Sequence, residues 1–228
     1  MRWIHPPPLS ALKNFFSLDL SDPLNIPPPG ELKITGFSNY LHPFDTGGDL
    51  IVAVGMEADE RGVTQGFAVS FFDATDLSDP VLLDKQVEER RSYSEAQWDP
   101  HALRAIRGPP TPDGGDANVP LWMVLVVPLR VYSWQSPEDN FDGFSLYNVS
   151  YHGGEGSIQR MFKISHANAD AINYGCWSPY WVPARSLLID GNLTTIKRHT
   201  VVSTNVDAEE RLWTMNLTSF NDACSYSY

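Results

Sequence analysis

The densest group of chemically capable side chains in this sequence is Ser94, Glu95, Asp99 and His101, which fall within eight positions. A serine, a histidine and a carboxylate that converge in space can form a nucleophile with its general base. These residues lie on a predicted strand and turn, where neighbouring side chains point to opposite faces, and no Gly-x-Ser-x-Gly elbow is present. The pattern therefore favours buried hydrogen bonds that close a sheet, and we assign no catalytic residue. Glu95, Asp99 and His101 remain candidates for ligand binding.

A further candidate is His42, which lies in Tyr40-Leu41-His42-Pro43 directly before a predicted buried strand. Imidazole titrates near neutral pH, so His42 could bind a ligand or carry a proton. The position favours a simpler role, in which the ring bonds a backbone group and stabilises the turn. His42 is kept as a candidate ligand-binding residue.

Aromatic residues supply the last candidates. The segment Trp177-Ser178-Pro179-Tyr180-Trp181 places three aromatic rings in a turn-like stretch, which is typical of a surface that recognises sugars or peptides. Trp177, Tyr180 and Trp181 are therefore candidate ligand-binding residues. The other tryptophans are predicted to lie in the core or between sheets: Trp98, Trp122, Trp134 and Trp213.

Two acidic loops could in principle bind a hard cation through oxygen atoms. They contain Glu57, Asp59 and Glu60 in the first case, and Asp113, Asp116 and Asn118 in the second. The first lacks the alternating Asp and Asn residues and the terminal Glu of an EF-hand, so solvated loops are the better interpretation of both. We predict no metal site and no cofactor.

The elements that must position these residues read as strands. Apolar residues alternate at Phe16, Leu18 and Leu20, and a β-branched run spans Asp49 to Gly55. Further predicted strands span Glu31 to Ile34, Phe67 to Phe71, Val81 to Val87, Tyr93 to Trp98, His101 to Ile106, Leu121 to Val131, Gly143 to Val149, Ser157 to Ser165, Ser186 to Ile189, Leu193 to Arg198, Thr200 to Asn205 and Leu212 to Leu217. Helical periodicity is not seen, so the chain is predicted to be all-β.

One strand–turn signature recurs along the chain. Ser17 to Asp22 and Phe71 to Asp76 share apolar alternation followed by two aspartates, and Gly143 to Ser150 repeats the plan with Asn148 in place of the first aspartate. A unit repeated at intervals of tens of residues is typical of a β-propeller, in which each blade is a four-stranded sheet. A β-sandwich is the competing architecture, but it has less reason to repeat one signature.

These motifs resemble the secreted β-propeller domain family of bacteria and archaea, which is distantly related to WD40 repeats. The resemblance rests on Phe16 to Pro23, Gly30 to Ile34, Gly36-Phe37-Ser38-Asn39-Tyr40-Leu41-His42-Pro43, Gly66 to Asp76, Tyr93 to Asp99, Phe141 to Val149, Ile164-Ser165-His166 and Arg185 to Gly191. It covers most of residues 15 to 198 and only the C-terminal part of the family domain. One departure is Pro100, which stands where the family has a histidine, so that His101 comes one place later.

The resemblance implies a β-propeller of about four blades that form an incomplete ring. The expected organisation is a proline-rich lead-in at 1–14, a partial propeller at 15–218 and a C-terminal tail at 219–228. An extracellular or cell-surface location is also implied by the resemblance, whereas the N-terminal residues show no signal peptide. No reaction is implied.

Composition narrows the partners. Asp and Glu number 28 against 16 Lys and Arg, which gives a formal charge of −12. A nucleic-acid partner needs a basic surface, so it is not expected. No apolar run reaches the length of a membrane-spanning helix. Cys176 and Cys224 could pair or remain free thiols, and Asn148, Asn192 and Asn216 begin glycosylation sequons.

The preferred functional hypothesis is a non-enzymatic binding or scaffold module for a protein or glycan ligand, because propellers present loops on a rigid frame. The alternative is a hydrolase that uses carboxylates and a histidine in the propeller channel. Blades cut from a larger ring would leave apolar faces uncovered. The sequence therefore also predicts self-association through uncovered terminal blades.

Overall fold

Antiparallel strands make up nearly all the regular structure in the computed structural model of the chain. It describes residues 12–88, 91–108, 120–133, 136–166, 183–197 and 200–217. Within these ranges there are fifteen strands, three short 3-10 helices and no α-helix. The all-β prediction is confirmed. By their contacts the strands fall into two units, residues 1–90 and 91–228.

The first unit contains two antiparallel sheets. A two-stranded sheet pairs β1 (Leu12–Ser17) with β2 (Gly30–Thr35). A four-stranded sheet has the order β3 (Phe37–Pro43), β4 (Leu50–Ala58), β5 (Thr64–Asp73) and β6 (Val81–Val87). The central strands β4 and β5 carry the core, in which Val52, Val54, Phe67 and Phe71 are fully buried.

The predicted phase of the first strand is wrong. Phe15, not Phe16, faces the interior: its ring stacks on buried Phe72 with the centroids 4.8 Å apart. The strand also ends at Ser17, so Leu18 and Leu20 lie in the loop that follows. The reason is local, because Asp19 Oδ1 accepts a hydrogen bond from the backbone N–H of Ser21 and turns the chain.

The second unit also contains two sheets. The five-stranded sheet has the order β11 (Glu155–Ser165), β10 (Phe141–His152) and β9 (Leu121–Val131), with β7 (Ser92–Tyr93) and β8 (Arg104–Arg107) both paired to β9. The four-stranded sheet runs β12 (Arg185–Ile189), β13 (Asn192–Lys197), β14 (Thr200–Asn205) and β15 (Glu210–Asn216). Together the units hold four sheets, as a chain of about four blades requires.

An apolar cluster joins the two sheets of the second unit. Its buried members are Ala102, Val124, Val126, Phe144, Leu146, Ile164, Ala184, Leu193 and Val202. Because side chains alternate along a strand, the residues of β13 that share the phase of Leu193 are Thr195 and Lys197. This phase carries a lysine toward the neighbouring sheet.

Two predicted strands are wrong in part. Tyr93 to Trp98 contains only the end of β7, followed by a 3-10 helix at Glu95–Gln97, and His101 to Ile106 begins in a second 3-10 helix at Pro100–Ala102. A third 3-10 helix spans Pro137–Asp139. The tryptophans Trp98, Trp122 and Trp213 are 52%, 42% and 45% exposed, so they do not lie in the core, and a place between sheets stays a prediction. Trp134 lies outside the described residues.

The two aspartate copies of the repeated signature form the same turn. Asp73 Oδ1 accepts a hydrogen bond from the backbone N–H of Thr75 as Asp19 Oδ1 does from Ser21, both at 2.8 Å. Asp76 Oδ1 accepts from Ser78 as Asp22 Oδ1 does from Leu24, at 2.9 and 3.0 Å. The pentapeptide Asp-Leu-Ser-Asp-Pro occurs at 19–23, after β1, and again at 76–80, before β6. In both copies the first aspartate accepts a hydrogen bond from the backbone N–H of the serine two residues later, at 2.8 Å from Ser21 and 2.9 Å from Ser78. The predicted alignment of Ser17 to Asp22 with Phe71 to Asp76 therefore describes one turn that occurs twice, and the identical pentapeptide is a further match between the same parts of the chain.

Gly36 to Pro43 forms β3 with an irregularity at its start. Gly36 has φ 77°, which favours glycine, and the register with β4 shifts between Ser38 and Tyr40. At this shift the backbone of β3 lies against Gly55 of β4, where a Cβ atom would overlap the carbonyl oxygen of Phe37. The glycine is required by close approach of two backbones.

We predict that Gly55→Ala lowers the free energy of unfolding by about 2–4 kcal/mol, because the methyl group must push apart two paired strands. Urea unfolding measures the change. Gly47→Ala is the matched control, since a Cβ there meets only side-chain oxygens of Asp45 and Asp49 at 3.1 and 3.2 Å. Equal stability of the two variants would contradict the close-approach argument.

Candidate functional site

The segment around Ser94 forms a capped 3-10 helix. Ser94 Oγ accepts a hydrogen bond from the backbone N–H of Ala96 at 3.1 Å, and Gln97 Oε1 accepts one from the N–H of Ser94 at 2.9 Å. This reciprocal pair is a capping box, which satisfies backbone donors at a helix start. Ser94 is fully buried. Its hydroxyl thus serves the backbone of the turn.

Asp99 caps the second 3-10 helix and binds an arginine. Its Oδ1 accepts from the backbone N–H of His101 at 3.1 Å, and its Oδ2 accepts from Arg185 Nη1 at 2.8 Å. The Arg185 guanidinium holds the pKa of Asp99 below its ordinary value. Pro100 occupies the first helical position, where a missing N–H costs nothing and a fixed φ favours the turn. This accounts physically for the proline at which the chain departs from the family pattern.

His101 has a carboxylate within reach of its ring. Its Nδ1 lies 3.3 Å from Asp99 Oδ1, and its side chain is 85% exposed. The pair is therefore on the surface, and the other oxygen of Asp99 is already bound to Arg185. The geometry suits a cap and a surface contact more than proton transfer in a closed site.

Glu95 forms a salt bridge with a buried lysine, Lys197. Lys197 Nζ lies 3.2 Å from Glu95 Oε1 and 2.9 Å from Asp142 Oδ1. It also donates to the carbonyl oxygens of Leu129 and Gly143, at 3.3 and 3.2 Å. We call these five residues the Lys197 cage. The side chains of Lys197 and Asp142 are each 3% exposed and that of Glu95 is 15% exposed.

The cage connects the two sheets of the second unit. Lys197 is the last residue of β13, Leu129 belongs to β9, and Asp142 and Gly143 belong to β10. Glu95 begins the first 3-10 helix. A buried ammonium requires oxygen partners in good geometry, so the cage fixes these elements relative to each other and engages the Glu95 carboxylate in an internal ion pair.

A second cation completes the charge balance. Arg130 Nε lies 3.8 Å from Asp142 Oδ2, and Arg130 Nη1 donates to the Tyr93 hydroxyl at 3.1 Å. Two carboxylates, Glu95 and Asp142, thus face two cations, Lys197 and Arg130. This balance is what allows four ionisable groups to lie at a largely buried junction.

His166 is a buried residue beside the cage that sequence reasoning did not single out as a site residue. Its Nε2 lies 2.8 Å from Thr195 Oγ1, its backbone N–H donates to the carbonyl of Asp142 at 2.9 Å, and its ring packs edge-on against Phe144. Burial, aided by the positive charge of Lys197, lowers the pKa of His166 to about 4. The ring is neutral at neutral pH.

One sequence signal could have revealed this junction. A lysine at position 197 shares the strand phase of Leu193 and Thr195, both fully buried. A charged side chain in the buried phase of a strand requires a buried counter-charge. The identity of that counter-charge is not visible in the sequence, because Asp142 and Glu95 are distant along the chain.

Of the remaining candidates, His42 lies within the described residues. His42 lies on β3 in the first unit, where its Nδ1 is 3.2 Å from the Tyr40 hydroxyl. Trp177, Tyr180 and Trp181 lie outside the described residues, as do Cys176 and Cys224. The seven predicted ligand-binding residues therefore do not form one described site.

In the acidic loop at Glu57, two of the carboxylates are already bound to groups of the protein. Glu57 pairs with Lys85 at 2.8 Å, and Asp59 Oδ1 accepts from the backbone N–H groups of Arg61 and Val63. Across the described ranges, no group of three or more His, Cys, Asp or Glu residues is arranged to hold a metal ion. The other loop, with Asp113, Asp116 and Asn118, falls outside those ranges. None of the described helices is long and apolar enough to span a membrane.

We predict that Lys197→Met destabilises the chain by about 3–5 kcal/mol, because it leaves Glu95 and Asp142 as buried carboxylates without their main cation. Chemical denaturation measures the loss, and Lys33→Met, on the exposed part of β2, is the matched control. Adding Asp142→Asn to Lys197→Met should restore part of the stability. No restoration would show that the loss comes from packing and not from the unpaired charge.

We predict that stability falls as the pH is lowered from about 6.5 to 4. The unfolded chain protonates His166 near its ordinary pKa of about 6.5, whereas the folded state resists protonation until about pH 4. Between pH 7.5 and pH 5 this histidine alone should cost about 2 kcal/mol. Urea unfolding at both pH values should show this loss in wild type and not in His166→Gln. The exposed control His101→Gln should behave as wild type, and an unchanged loss in His166→Gln would contradict the assignment.

Comparison with known proteins agrees with the four sheets. A family model described as Beta propeller domain matches residues 13–208. An uncharacterised protein of Methanocaldococcus jannaschii is 38% identical over 68 residues, which are 30% of this chain and 10% of that protein. An uncharacterised protein of Archaeoglobus fulgidus is 44% identical over 89 residues, 39% of this chain and 13% of that protein. The matched stretches thus span only about a tenth of the length of these curated relatives. The extent of the family match, together with the antiparallel four- and five-stranded sheets, shows that this chain belongs to the β-propeller domain family.

Proposed function

We propose that this chain is a non-enzymatic binding or scaffold module that acts outside the cell or at its surface. The observation that carries the proposal is the engagement of the chemically capable carboxylates. Glu95 is bound to Lys197, and Asp99 is bound to Arg185. Carboxylates held in such pairs stabilise the fold and are poorly placed to exchange protons with a substrate.

A hydrolase is the weaker alternative. The observation in its favour is that His101 Nδ1 lies 3.3 Å from Asp99 Oδ1, as in a histidine and carboxylate pair of a hydrolase. Against it stand the 85% exposure of His101 and the second bond of Asp99 to Arg185. Ser94, the nearest hydroxyl in sequence, is buried and occupied as a cap. A general base needs a free lone pair directed at substrate in a site that excludes water.

The extracellular part of the proposal rests on the resemblance to a secreted family and on one accessible sequon. Asn216 is exposed at the end of β15. Asn148 and Asn192 are half-buried within or at the start of paired strands. Of the three sequons, Asn216 is therefore the one whose side chain is best placed to carry a glycan.

Self-association remains part of the proposal, and the last sheet supports it. By their register, Leu187, Ile189, Trp213 and Met215 share the face of this sheet opposite buried Val202. Each of the four is 45–57% exposed. A second copy that covers these side chains would remove apolar surface from water.

Glycan and peptide arrays test the proposal, together with turnover assays on ester, glycoside and peptide substrates. We expect saturable binding to array members and no turnover above buffer, both unchanged in His101→Ala. His152→Ala, at the exposed end of β10, is the matched control. The ligand-binding role of Trp177 and Trp181 stays a prediction from the sequence, and the variants Trp177→Ala and Trp181→Ala are tested on the same arrays. Turnover that is lost in His101→Ala and kept in His152→Ala would replace the binding proposal with the hydrolase.

A further inference from the structure

The end of β1 and the loop that joins it to β2 expose an unusual run of large apolar side chains. Phe16, Leu18, Leu20, Leu24 and Ile26 are 56%, 44%, 58%, 91% and 52% exposed. We call these five residues the loop patch. Soluble proteins seldom expose apolar residues in such a concentration unless the surface binds something. The whole patch lies in the first unit.

Hydrogen bonds within the loop hold it in one shape. Asp22 Oδ1 accepts from the backbone N–H of Leu24 at 3.0 Å, and Asp22 Oδ2 accepts from Asn25 Nδ2 at 2.8 Å. At its two ends, Ser17 Oγ donates to the carbonyl of Leu77 at 2.7 Å, and Gly30 lies so close to that carbonyl that a Cβ would overlap it. A loop already ordered loses little entropy when a partner binds.

A cleft of about 430 Å³ opens beside the patch. It lies between the loop and the turn that precedes β6, so both copies of the repeated pentapeptide contribute to it. Its lining consists of Asp19, Pro27, Pro28, Thr75, Asp76, Leu77 and Ser78. A volume of this size is sufficient for one or two side chains of a partner.

The segments that form the patch and its cleft carry charge of one sign. Residues 14–31 and 73–80 contain no Lys or Arg, and their carboxylates are Asp19, Asp22, Glu31, Asp73, Asp76 and Asp79. Hydrogen bonds lower the pKa of three of these carboxyl groups. The main donor is the Ser21 N–H for Asp19 and the Asn25 side chain for Asp22. For Asp76 the main donor is the Ser78 hydroxyl. These turns therefore stay anionic at neutral pH.

Charge also selects among the partners that could cover the patch. A second copy would bring the same carboxylates and the same net charge of −12, so its approach to this surface is opposed. A segment with cations beside its apolar anchors meets complementary charge. Complementarity of this kind raises the association rate and excludes like-charged competitors.

We propose that the loop patch and its cleft bind a protein segment in which apolar side chains alternate with lysine or arginine. The apolar side chains pack on Leu20, Leu24 and the prolines of the cleft, and the cations pair with the surrounding aspartates. This inference rests on the proposed binding function and names the partner class of one surface.

Fluorescence anisotropy with a labelled peptide of about a dozen residues, in which leucine alternates with lysine, tests the proposal at physiological salt. We expect the double variant Leu20→Ser, Leu24→Ser to weaken binding by about tenfold or more, and Asp22→Asn by about threefold. The amide oxygen of Asn can still accept from the backbone N–H of Leu24, so the second variant removes the charge and the single side-chain bond from Asn25. The matched controls are the double variant Met161→Ser, Leu212→Ser, at exposed apolar positions of the second unit, and Glu60→Gln in another exposed loop, each with less than about twofold change.

Three results would overturn the proposal. The first is no binding of the peptide to wild type, and the second is equal weakening in patch variants and controls, which indicates bulk electrostatic attraction alone. The third is concentration-dependent self-association by light scattering that the patch variant abolishes, which assigns the patch to a second copy. Array binding that persists in the patch variant would keep the binding-module proposal and remove only this surface. Turnover that depends on His101 would instead remove the binding-module proposal itself.

Discussion

The ammonium group of Lys197 is the constraint on which the second unit depends. A cation with 3% exposure has lost its water and must be surrounded by oxygen atoms, here two carboxylates and two backbone carbonyls. These oxygens belong to a 3-10 helix and to two strands of the five-stranded sheet, whereas Lys197 lies in the four-stranded sheet. The lysine can therefore be satisfied only when both sheets are in place. Apolar packing brings the sheets together, and the cage specifies their register.

The same constraint separates the ionisable residues into two populations with different roles. At the junction, Glu95 and Asp142 are matched by Lys197 and Arg130 and are committed to the fold. In the turns of the first unit, Asp19, Asp22 and Asp76 bond only their own loops and keep their charge toward solvent. Under the proposed function, recognition belongs to the exposed turns, while the residues that most resemble a catalytic set stabilise the fold.

The motif that most strongly carries the family resemblance gains a physical meaning from this arrangement. Ser94 caps a 3-10 helix, Glu95 projects from its first position to Lys197, and Asp99 caps the next 3-10 helix while it binds Arg185. A segment that satisfies two turns and two cations tolerates few replacements. Its sequence is constrained by stability, and so a resemblance based on it indicates a fold and not a reaction.

What the sequence determined by itself is the all-β class and most strands: β6, β9 and β14 have the limits that their apolar patterns predict. Strand formation follows from alternation over a few neighbours, which is local information. Only the tertiary structure decided that Phe15 and not Phe16 packs inward, since the choice depends on Phe72 in another sheet. It also decided the partners of Glu95 and Asp99, because Lys197 and Arg185 lie 102 and 86 positions away and meet them only after the sheets have packed.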